Sequence, residues 1–255
     1  MILTIDIGNT NILLGCFKGN ELVFRERISS KREATDLEYA AMIKTALDMY
    51  TLTPQQIDGS IMASVVPTIT NTLKRAIEKL IGIETLVVGP GIKSGLSIRI
   101  DNPAQLGSDL VVDAVAGIHH YPLPQIIIDM GTATTFSVID QHGFYVGGMI
   151  PAGMAISAEA LVRSTSQLSK VDFEKPKKLI GTNTIDCVKS GLLHATACSI
   201  DGMAERIEAE LGQPCTVIIT GGLAGVIKPL CKRGMILDED LILKGLLHIY
   251  HKNCR

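Results

Sequence analysis

The protein has 255 residues, of which 46% are hydrophobic and 20% are charged. This composition can bury a sizeable core in one large or two small domains, and it excludes an intrinsically disordered chain. The 24 Lys and Arg residues against 26 Asp and Glu residues give a formal net charge of -2, which supplies no electrostatic basis for binding nucleic acid. We therefore expect a small-molecule partner and no nucleic acid.

Neither the cysteines nor the N-terminus carries a signal for metal binding or export. The six cysteines are scattered, with no Cys-x-x-Cys pair and no histidine at a zinc-ligand spacing, so we expect reduced thiols. The apolar N-terminus lacks a basic leader and carries Asp6 and Gly8 where a signal peptide needs an unbroken apolar run. No later stretch is apolar for long enough to span a bilayer, so a cytoplasmic protein with no membrane partner is expected.

The N-terminal half combines short apolar runs with helical patterns. Five runs rich in Ile, Val and Leu have the length and β-branching of strands: Ile2 to Ile7, Ile12 to Phe17, Glu21 to Ile28, Ser60 to Val66 and Thr85 to Val88. A capping box at Thr35 and Glu38 predicts the start of a first helix, and an apolar stripe that ends at Gly82 predicts a second. The predicted order is three strands followed by alternating helix and strand.

The segment after residue 124 repeats this opening. "QIIIDMGTATTFSVID" has the same order of apolar strand, Asp, apolar residue, Gly and polar turn as "LTIDIGNTNILLGCF". Three pairs of residues correspond at a constant offset: Asp129 with Asp6, Gly131 with Gly8, and Thr134 with Asn11. Two more strands and a helix are predicted in the second copy: a strand from Phe144 to Ile150, a helix that reaches Leu211, and a strand from Thr216 to Gly222. This pattern indicates an internal duplication of two α/β units.

Prolines mark the boundary between the two units. Pro122 and Pro124 break the helix that begins near Gly107, so we place an N-terminal α/β domain at 1–121 and a C-terminal α/β domain at 122–255. Two similar units that face each other create a cleft, and the ligand is expected there.

Each Asp-x-Gly turn has the features of a phosphate cradle. Glycine lets the backbone approach the ligand, successive amide groups point inward, and Thr or Asn side chains add donors, while the aspartate can hold a cation. One such turn alone is better explained as an ordinary β-hairpin. Two copies in register, with Thr220-Gly221-Gly222 at the end of a third strand, favour a nucleotide site. Neither turn leads directly into a helix, as a dinucleotide-binding glycine loop requires.

Asp109 is the candidate catalytic base. It lies at the start of the helix that follows Gly107, and Asp113, four residues later, lies on the same helix face. A first-turn acid also suits the helix dipole, so a capping role and a catalytic role both stay open. Thr182 or Thr184 is expected to cap the long helix of the second unit in the same way.

Six segments, in order along nearly the whole chain, resemble the motif series of type III pantothenate kinases. They are Asp6-Ile7-Gly8-Asn9-Thr10-Asn11, Asn102-Pro103 followed by Gly107-Ser108-Asp109, Asp129-Met130-Gly131-Thr132-Ala133-Thr134-Thr135, Gly147 to Gly153, Gly181-Thr182-Asn183-Thr184, and Thr220-Gly221-Gly222. Single motifs are shared with the wider superfamily of acetate kinase, sugar kinases, Hsp70 and actin. The full set resembles this branch alone.

This resemblance implies a fold, a reaction and its cofactors. The fold is α/β, with duplicated, actin-like ribonuclease H-like units, each with a mixed five-stranded sheet and flanking helices, and a cleft between them. The reaction is ATP-dependent phosphorylation of pantothenate to 4′-phosphopantothenate, the first step of coenzyme A biosynthesis. The resemblance also implies Mg²⁺, an activating K⁺ or NH₄⁺ ion, and a cytoplasmic homodimer with its active site near the subunit interface.

The resemblance assigns roles position by position. ATP-binding residues are implied in both turns and after the third strand: Asp6, Ile7, Gly8, Asn9, Thr10, Asn11, Ile12, Leu13, Thr132, Gly221 and Gly222. Pantothenate contacts are implied for Gly107, Ser108, Asp109, Leu110 and, from the neighbouring subunit, Thr184. Asp129 would bind the monovalent cation, Asp6 would hold Mg²⁺ directly or through water, and Asp109 would be the general base.

Three positions depart from the family pattern. Leu110 stands where arginine commonly follows the aspartate, Ile100 stands where tyrosine is frequent, and Asp113 stands where asparagine is usual. The carboxylate of pantothenate must then be held by other donors or bound more weakly, or another acceptor alcohol replaces it. Two alternatives therefore stay open: a nucleotide-binding regulatory paralogue and a kinase of another small alcohol. The presence of Asp109, Asp129, Thr132 and Thr184 together favours catalysis, because a nucleotide binder alone needs no base and no acceptor contact.

Overall fold

The computed structural model describes residues 1–165, 168 and 171–254. The first part of the chain contains, in order, β1 (Ile2–Ile7), β2 (Asn11–Lys18), β3 (Glu21–Ser29), α1 (Asp36–Met49), β4 (Gly59–Ser64), α2 (Pro67–Ile81), β5 (Thr85–Val87), β6 (Ser97–Ile98) and α3 (Ser108–His120). The second part contains β7 (Gln125–Met130), β8 (Thr134–Ile139), β9 (Phe144–Met149), α4 (Met154–Arg163), α5 (Thr184–Leu211), β10 (Thr216–Thr220), α6 (Ala224–Ile227), β11 (Ile236–Leu237) and α7 (Leu241–Asn253). In the part of the chain that the structure describes, no helix has the length and apolar character needed to cross a bilayer.

Backbone contacts divide the chain into two compact units. Unit 1 comprises Met1–Leu96, Asp101–His119 and the chain from Asp240 onward, and unit 2 comprises Ser97–Ile100 and His120–Glu239. The chain thus enters unit 2 close to the predicted boundary after residue 121, but it returns to unit 1 for α7. The reason is apolar burial, because α7 supplies fully buried leucines to the core of unit 1.

Unit 1 is a mixed five-stranded sheet with helices on both faces. Its strand order is β3-β2-β1-β4-β5; β1 and β3 run antiparallel to β2, whereas β4 is parallel to β1 and β5. Helices α1 and α2 supply one apolar cluster with β1 and β2, and helices α3 and α7 supply another with β4. The core therefore lies on both sides of β1 and β4, as expected for a central strand pair buried on two faces.

Unit 2 repeats this topology. Its strand order is β11-β10-β7-β8-β9-β6, and the five strands β9-β8-β7-β10-β11 have the same sequential order as those of unit 1. The predicted duplication of two mixed α/β units is therefore confirmed. The predicted count of five strands is too low for this unit, because the two-residue strand β6 adds to the edge, parallel to β9. So short a strand has no periodicity by which sequence could reveal it.

The two Asp-x-Gly turns differ in length. In unit 1 the last strand pair before the turn is Ile7 with Ile12, which leaves four residues between them. In unit 2 the corresponding pair is Met130 with Thr134, which leaves three. The predicted equivalence of Thr134 with Asn11 is therefore wrong by one residue: Thr134 occupies the place of Ile12.

Local capping follows the sequence pattern at α1 and departs from it at α5. At α1 the amide of Thr35 donates to Glu38 Oε2 at 2.7 Å and the amide of Glu38 donates to Thr35 Oγ1 at 3.3 Å, so the predicted capping box is confirmed. At α5 the cap is Asn183, whose Oδ1 accepts from the amide of Asp186 at 2.9 Å. The prediction of Thr182 or Thr184 as the cap is wrong, because Thr184 is already the first helical residue.

Candidate active site

The first turn joins β1 to β2 at one end of the unit 1 sheet. The carboxylate of Asp6 is half-buried near the end of β1, and the amide of Gly8 donates to the carbonyl of Asn11 at 3.0 Å. Asn9, Thr10 and Asn11 are exposed, which leaves their side chains accessible to a ligand. Three further residues of the predicted ATP set belong to this region, Ile7, Ile12 and Leu13, and the side chains of Ile7 and Ile12 are fully buried in the core. Those two residues can meet a ligand only through their backbone.

Asp109 is the second residue of α3. Its Oδ1 accepts a hydrogen bond from the amide of Leu110 at 2.9 Å. Burial raises the pKa of this carboxyl above its usual value, while the amide of Leu110 pulls the pKa in the opposite direction. A half-buried carboxylate with a raised pKa is better matched to accepting a proton from a hydroxyl than a solvated one. Both properties suit a general base.

Ser64 connects Asp109 to the first turn. As the last residue of β4, Ser64 pairs with Ile7 of β1, and its two backbone polar groups bind the hydroxyl of Ser108. The start of α3 is thereby fixed to the same end of the sheet as the first turn. The sequence analysis did not identify Ser64. Its one sequence signal is that a polar residue ends an apolar strand.

The second turn lies at the end of β7 in unit 2. Asp129 is half-buried there and pairs with Thr220, the last residue of β10. The next residue, Gly221, has a φ of +92°, and a Cβ at this position would overlap Asp129 Oδ1 and lie 2.6 Å from the amide nitrogen of Met130. Only glycine fits this conformation and this contact. The structure therefore brings Asp129 and the predicted Gly221 loop together.

The residues just before α4 make backbone contacts with the second turn. The amide of Thr134 donates to the carbonyl of Pro151 at 3.1 Å, and Ala133 forms a β-bridge with Ala152. A Cβ at Gly153 would overlap the carbonyl of Thr132, so the two backbones are in close contact. Thr132 itself is exposed, which suits its predicted contact with ATP.

The predicted substrate contacts differ in their surroundings. Gly107 and Leu110 are half-buried beside Asp109, whereas the hydroxyl of Ser108 is engaged with Ser64. Thr184, at the start of α5 in unit 2, is exposed. Gly222, which follows β10, is exposed as well. Ser108 therefore positions the start of α3 with its side chain, whose single hydroxyl donor is already used.

The metal ions expected from the sequence would have few side-chain ligands in the described residues. Among residues 1–165, 168 and 171–254, no group of three or more His, Cys, Asp or Glu side chains is placed to hold a metal ion. Mg²⁺ in kinase sites is typically bound by one or two carboxylates, water and the phosphates of the nucleotide. Single carboxylates beside glycine turns, as at Asp6 and Asp129, fit that kind of site.

The chain matches one protein family over most of its length. A family model described as type III pantothenate kinase matches residues 2–206. A type III pantothenate kinase of Halalkalibacterium halodurans is 41% identical over 253 residues, which cover 99% of this chain and 100% of the relative. A type III pantothenate kinase of a Geobacillus species is 43% identical over 253 residues, which cover 99% of this chain and 98% of the relative.

Solved structures share the fold at low sequence identity. A Campylobacter jejuni protein described as a Baf family transcriptional activator aligns with a TM-score of 0.60 at 18% identity, covering 98% of each chain. The activator of the 2-hydroxyisocaproyl-CoA dehydratase from Clostridium difficile, with bound ADPNP, aligns with a TM-score of 0.59 at 14% identity, covering 98% of this chain and 93% of the other. These likenesses concern the fold alone. The full-length matches confirm the resemblance that the motifs indicated, and the chain belongs to the type III pantothenate kinase family, as an enzyme of the phosphotransferase class.

Proposed function

We propose that the protein transfers the γ-phosphoryl group of ATP to pantothenate, forming 4′-phosphopantothenate in coenzyme A biosynthesis, with Asp109 as the general base. The single observation that carries the reaction is the end-to-end match to type III pantothenate kinases at about 40% identity. The chemistry of Asp109 and of the two glycine turns supports the assignment of roles. We place the reaction in the cytoplasm.

The base assignment agrees with the chemistry of phosphoryl transfer. The transition state is loose, so most catalysis comes from positioning and from neutralising phosphate charge, while a base orients and finally deprotonates the attacking hydroxyl. Asp109 is held by the amide of Leu110 and carried on a helix whose start is tied to the sheet through Ser108. A carboxylate fixed in this way can orient a substrate hydroxyl without reorganising.

The phosphates of ATP are assigned to the two turns. Exposed Asn9, Thr10 and Asn11 supply donors in unit 1, and exposed Thr132 with the Gly221 loop supplies them in unit 2. Asp6 is the carboxylate for Mg²⁺, directly or through water, and this ion neutralises phosphate charge when bound. Asp129 is the ligand for K⁺ or NH₄⁺, the role that the resemblance to type III pantothenate kinases implies for this position.

A homodimer accounts for an exposed apolar surface on α4 and α5. A groove of about 510 Å³ lies between these helices. Large apolar side chains on these helices or close to them in the chain are exposed to solvent, and one of them, Leu161, lines the groove: Ile150, Ile156, Leu161, Leu179, Ile180 and Ile185. Exposed apolar side chains beside an open groove are typical of interfaces, and a second copy of the chain would cover them symmetrically. A molar mass near twice 27.4 kDa by light scattering supports this, and a monomer at micromolar concentration contradicts it.

A kinase of another small alcohol is the second candidate. Leu110 offers no cation beside Asp109, and Asp113, only 3% exposed on the same helix, adds an acid where a carboxylate substrate would be repelled if both are ionised. The Baf family neighbour, at 18% identity, shares the fold and carries no argument for a regulatory role.

One assay separates these candidates. ATP consumption is measured with pantothenate and with a panel of other small alcohols, and the product is identified by mass spectrometry. Strict dependence on pantothenate, with 4′-phosphopantothenate as product, supports the proposal. Turnover on another alcohol, with none on pantothenate, supports the second candidate. Nucleotide binding without turnover on any alcohol contradicts both.

A further inference from the structure

Ser30, the residue that follows β3, holds the first turn at two carbonyl groups. Its hydroxyl donates to the carbonyl of Gly8 at 2.6 Å, and its amide donates to the carbonyl of Thr10 at 3.0 Å. The second bond continues the pairing of β3 with β2, in which Ser29 lies opposite Asn11. The first bond is different, because it reaches past β2 to the end of β1 and closes the turn.

Tyr39 anchors the segment that carries Ser30. Its side chain is completely buried in the core of unit 1, and its hydroxyl accepts from the amide of Lys31 at 2.9 Å and donates to the carbonyl of Lys31 at 2.8 Å. One core hydroxyl thus binds both backbone polar groups of the residue next to Ser30. The capping box at the start of α1 fixes the helix that carries Tyr39. Hydrogen bonds at two consecutive residues, Lys31 and Ser30, therefore connect the core to the first turn.

The bonds from Ser30 determine which way two peptide groups of the turn face. A trans peptide is planar, and its N–H points opposite to its C=O. When the carbonyls of Gly8 and Thr10 point toward Ser30, the amides of Asn9 and Asn11 point away from it. A phosphate is attracted by amide N–H groups and repelled by carbonyl oxygens, so the orientation of these planes decides whether the turn can bind an anion.

We propose that Ser30 and Tyr39 are positioning residues for ATP: Ser30 orients the peptide groups of the first turn, and Tyr39 fixes Ser30 to the core. This inference rests on the proposed function, in which the first turn meets the phosphates of ATP. Neither side chain needs to touch the nucleotide. Their effect is on ATP affinity through the backbone of Gly8 and Thr10.

The test is the affinity of purified variants for a non-hydrolysable ATP analogue with Mg²⁺, measured by calorimetry, together with steady-state kinetics. Ser30→Ala removes the hydroxyl donor and is expected to raise Kd and the KM for ATP about tenfold, the effect of about 1.4 kcal/mol for one lost hydrogen bond. Ser30→Thr keeps a hydroxyl and is expected to stay within about threefold of wild type. The KM for pantothenate is expected to be unchanged in both.

Tyr39→Phe provides an independent variant that keeps the buried ring. Lys31 is exposed, so water can replace the lost hydroxyl and the variant is expected to fold with a nearly unchanged Tm. Its Kd for the ATP analogue is expected to rise severalfold. Because both side chains act through one segment, the double variant Ser30→Ala, Tyr39→Phe is expected to lose less affinity than the sum of the single losses.

Ser29→Ala is the matched control, because Ser29 is an exposed serine one residue earlier. It is expected to bind the analogue as wild type does. Wild-type affinity in both Ser30→Ala and Tyr39→Phe, or an equal loss in Ser29→Ala, overturns the positioning role and leaves the proposed function intact. If the wild-type protein itself does not bind the analogue, the proposed function fails. If Ser30→Ala does not fold, the Kd of Tyr39→Phe decides: a rise supports the inference, and no change overturns it.

Discussion

The hydroxyl of Ser108 satisfies both backbone polar groups of Ser64. It accepts from the amide of Ser64 at 3.2 Å and donates to the carbonyl of Ser64 at 3.1 Å. The side chain of Ser64 in turn accepts from Thr70 Oγ1 at 2.7 Å. This pair ties the first residue of α3, and hence the adjoining Asp109, to the end of β4.

Replacement of Ser108 by alanine should therefore weaken both the fold and the site. Two half-buried backbone groups lose their partner, which costs about 1–3 kcal/mol of unfolding free energy. The measurement is urea denaturation at neutral pH, combined with kcat. Ser108→Thr retains the hydroxyl and should recover most of both losses. If the alanine variant had the stability and turnover of wild type, the hydrogen bonds between Ser108 and Ser64 would not be needed to hold the start of α3.

Replacement of Gly221 by alanine should disrupt the second turn. The φ of +92° disfavours any residue with a Cβ, and the added methyl would overlap Asp129 Oδ1. Strain of this kind costs about 1–3 kcal/mol, and the displaced carboxylate should reduce ATP affinity as well. Gly225→Ala is a suitable control, since its Cβ would meet nothing nearer than Glu239 Oε1 at 3.7 Å. Equal Kd values for ATP in the two variants would contradict this role of Gly221.

Asp129 should confer dependence on a monovalent cation. Activity is expected to rise with K⁺ or NH₄⁺ and to be low in buffer that contains only Na⁺. Asp129→Ala removes the only side-chain charge proposed for this ion, so its remaining activity should not respond to added K⁺. The measurement is initial rate against K⁺ concentration at constant ionic strength. A K⁺ response in Asp129→Ala equal to that of wild type would remove this residue from the cation site.

An arginine in place of Leu110 should improve binding of the substrate carboxylate. A guanidinium beside Asp109 supplies a charge-assisted donor, and such bonds are worth about 1.5–3 kcal/mol, so the KM for pantothenate should fall at least about tenfold. The same cation should lower the pKa of Asp109 and shift the pH–rate profile to lower pH. Leu110→Met is the neutral control. An unchanged KM for pantothenate in Leu110→Arg would argue that the carboxylate is held elsewhere.

Sequence patterns predicted the parts of the fold that depend on residues close together in the chain. The strands of unit 1, the capping box at Thr35 and the end of α2 at Gly82 all follow from short-range spacing, and the structure has them. The repeat of apolar strand, aspartate and glycine also predicted two units with the same strand order. These features could be read because propensity, periodicity and capping act within one or two turns of chain.

The features that sequence did not reveal depend on contacts between distant residues. The turn after Met130 is one residue shorter than the turn after Ile7, and only strand register shows this. The return of α7 to unit 1 depends on its packing in a remote core. The roles of Ser64 and Ser30 rest on hydrogen bonds across 44 and 22 residues, for which a single serine carries no sequence signal.

The pH dependence of turnover should identify Asp109. Burial raises its pKa, so kcat/KM should increase as pH rises through a value above the usual range of an aspartate, as the base loses its proton. The same burial makes the ionised form unfavourable in the folded state. Ionisation of Asp109 therefore lowers the free energy of unfolding above the pKa of the folded state. This loss of stability is absent below about pH 4, where the carboxyl is protonated in both the folded and the unfolded state.

Turnover and ATP affinity of the Asp109→Asn variant decide whether Asp109 is the general base. The variant should bind the ATP analogue with a Kd close to that of wild type, and its kcat with pantothenate should fall about a hundredfold or more. At neutral pH it should also resist urea better than wild type, because it avoids the buried charge. Near-normal turnover in Asp109→Asn would contradict the assignment of Asp109 as the general base.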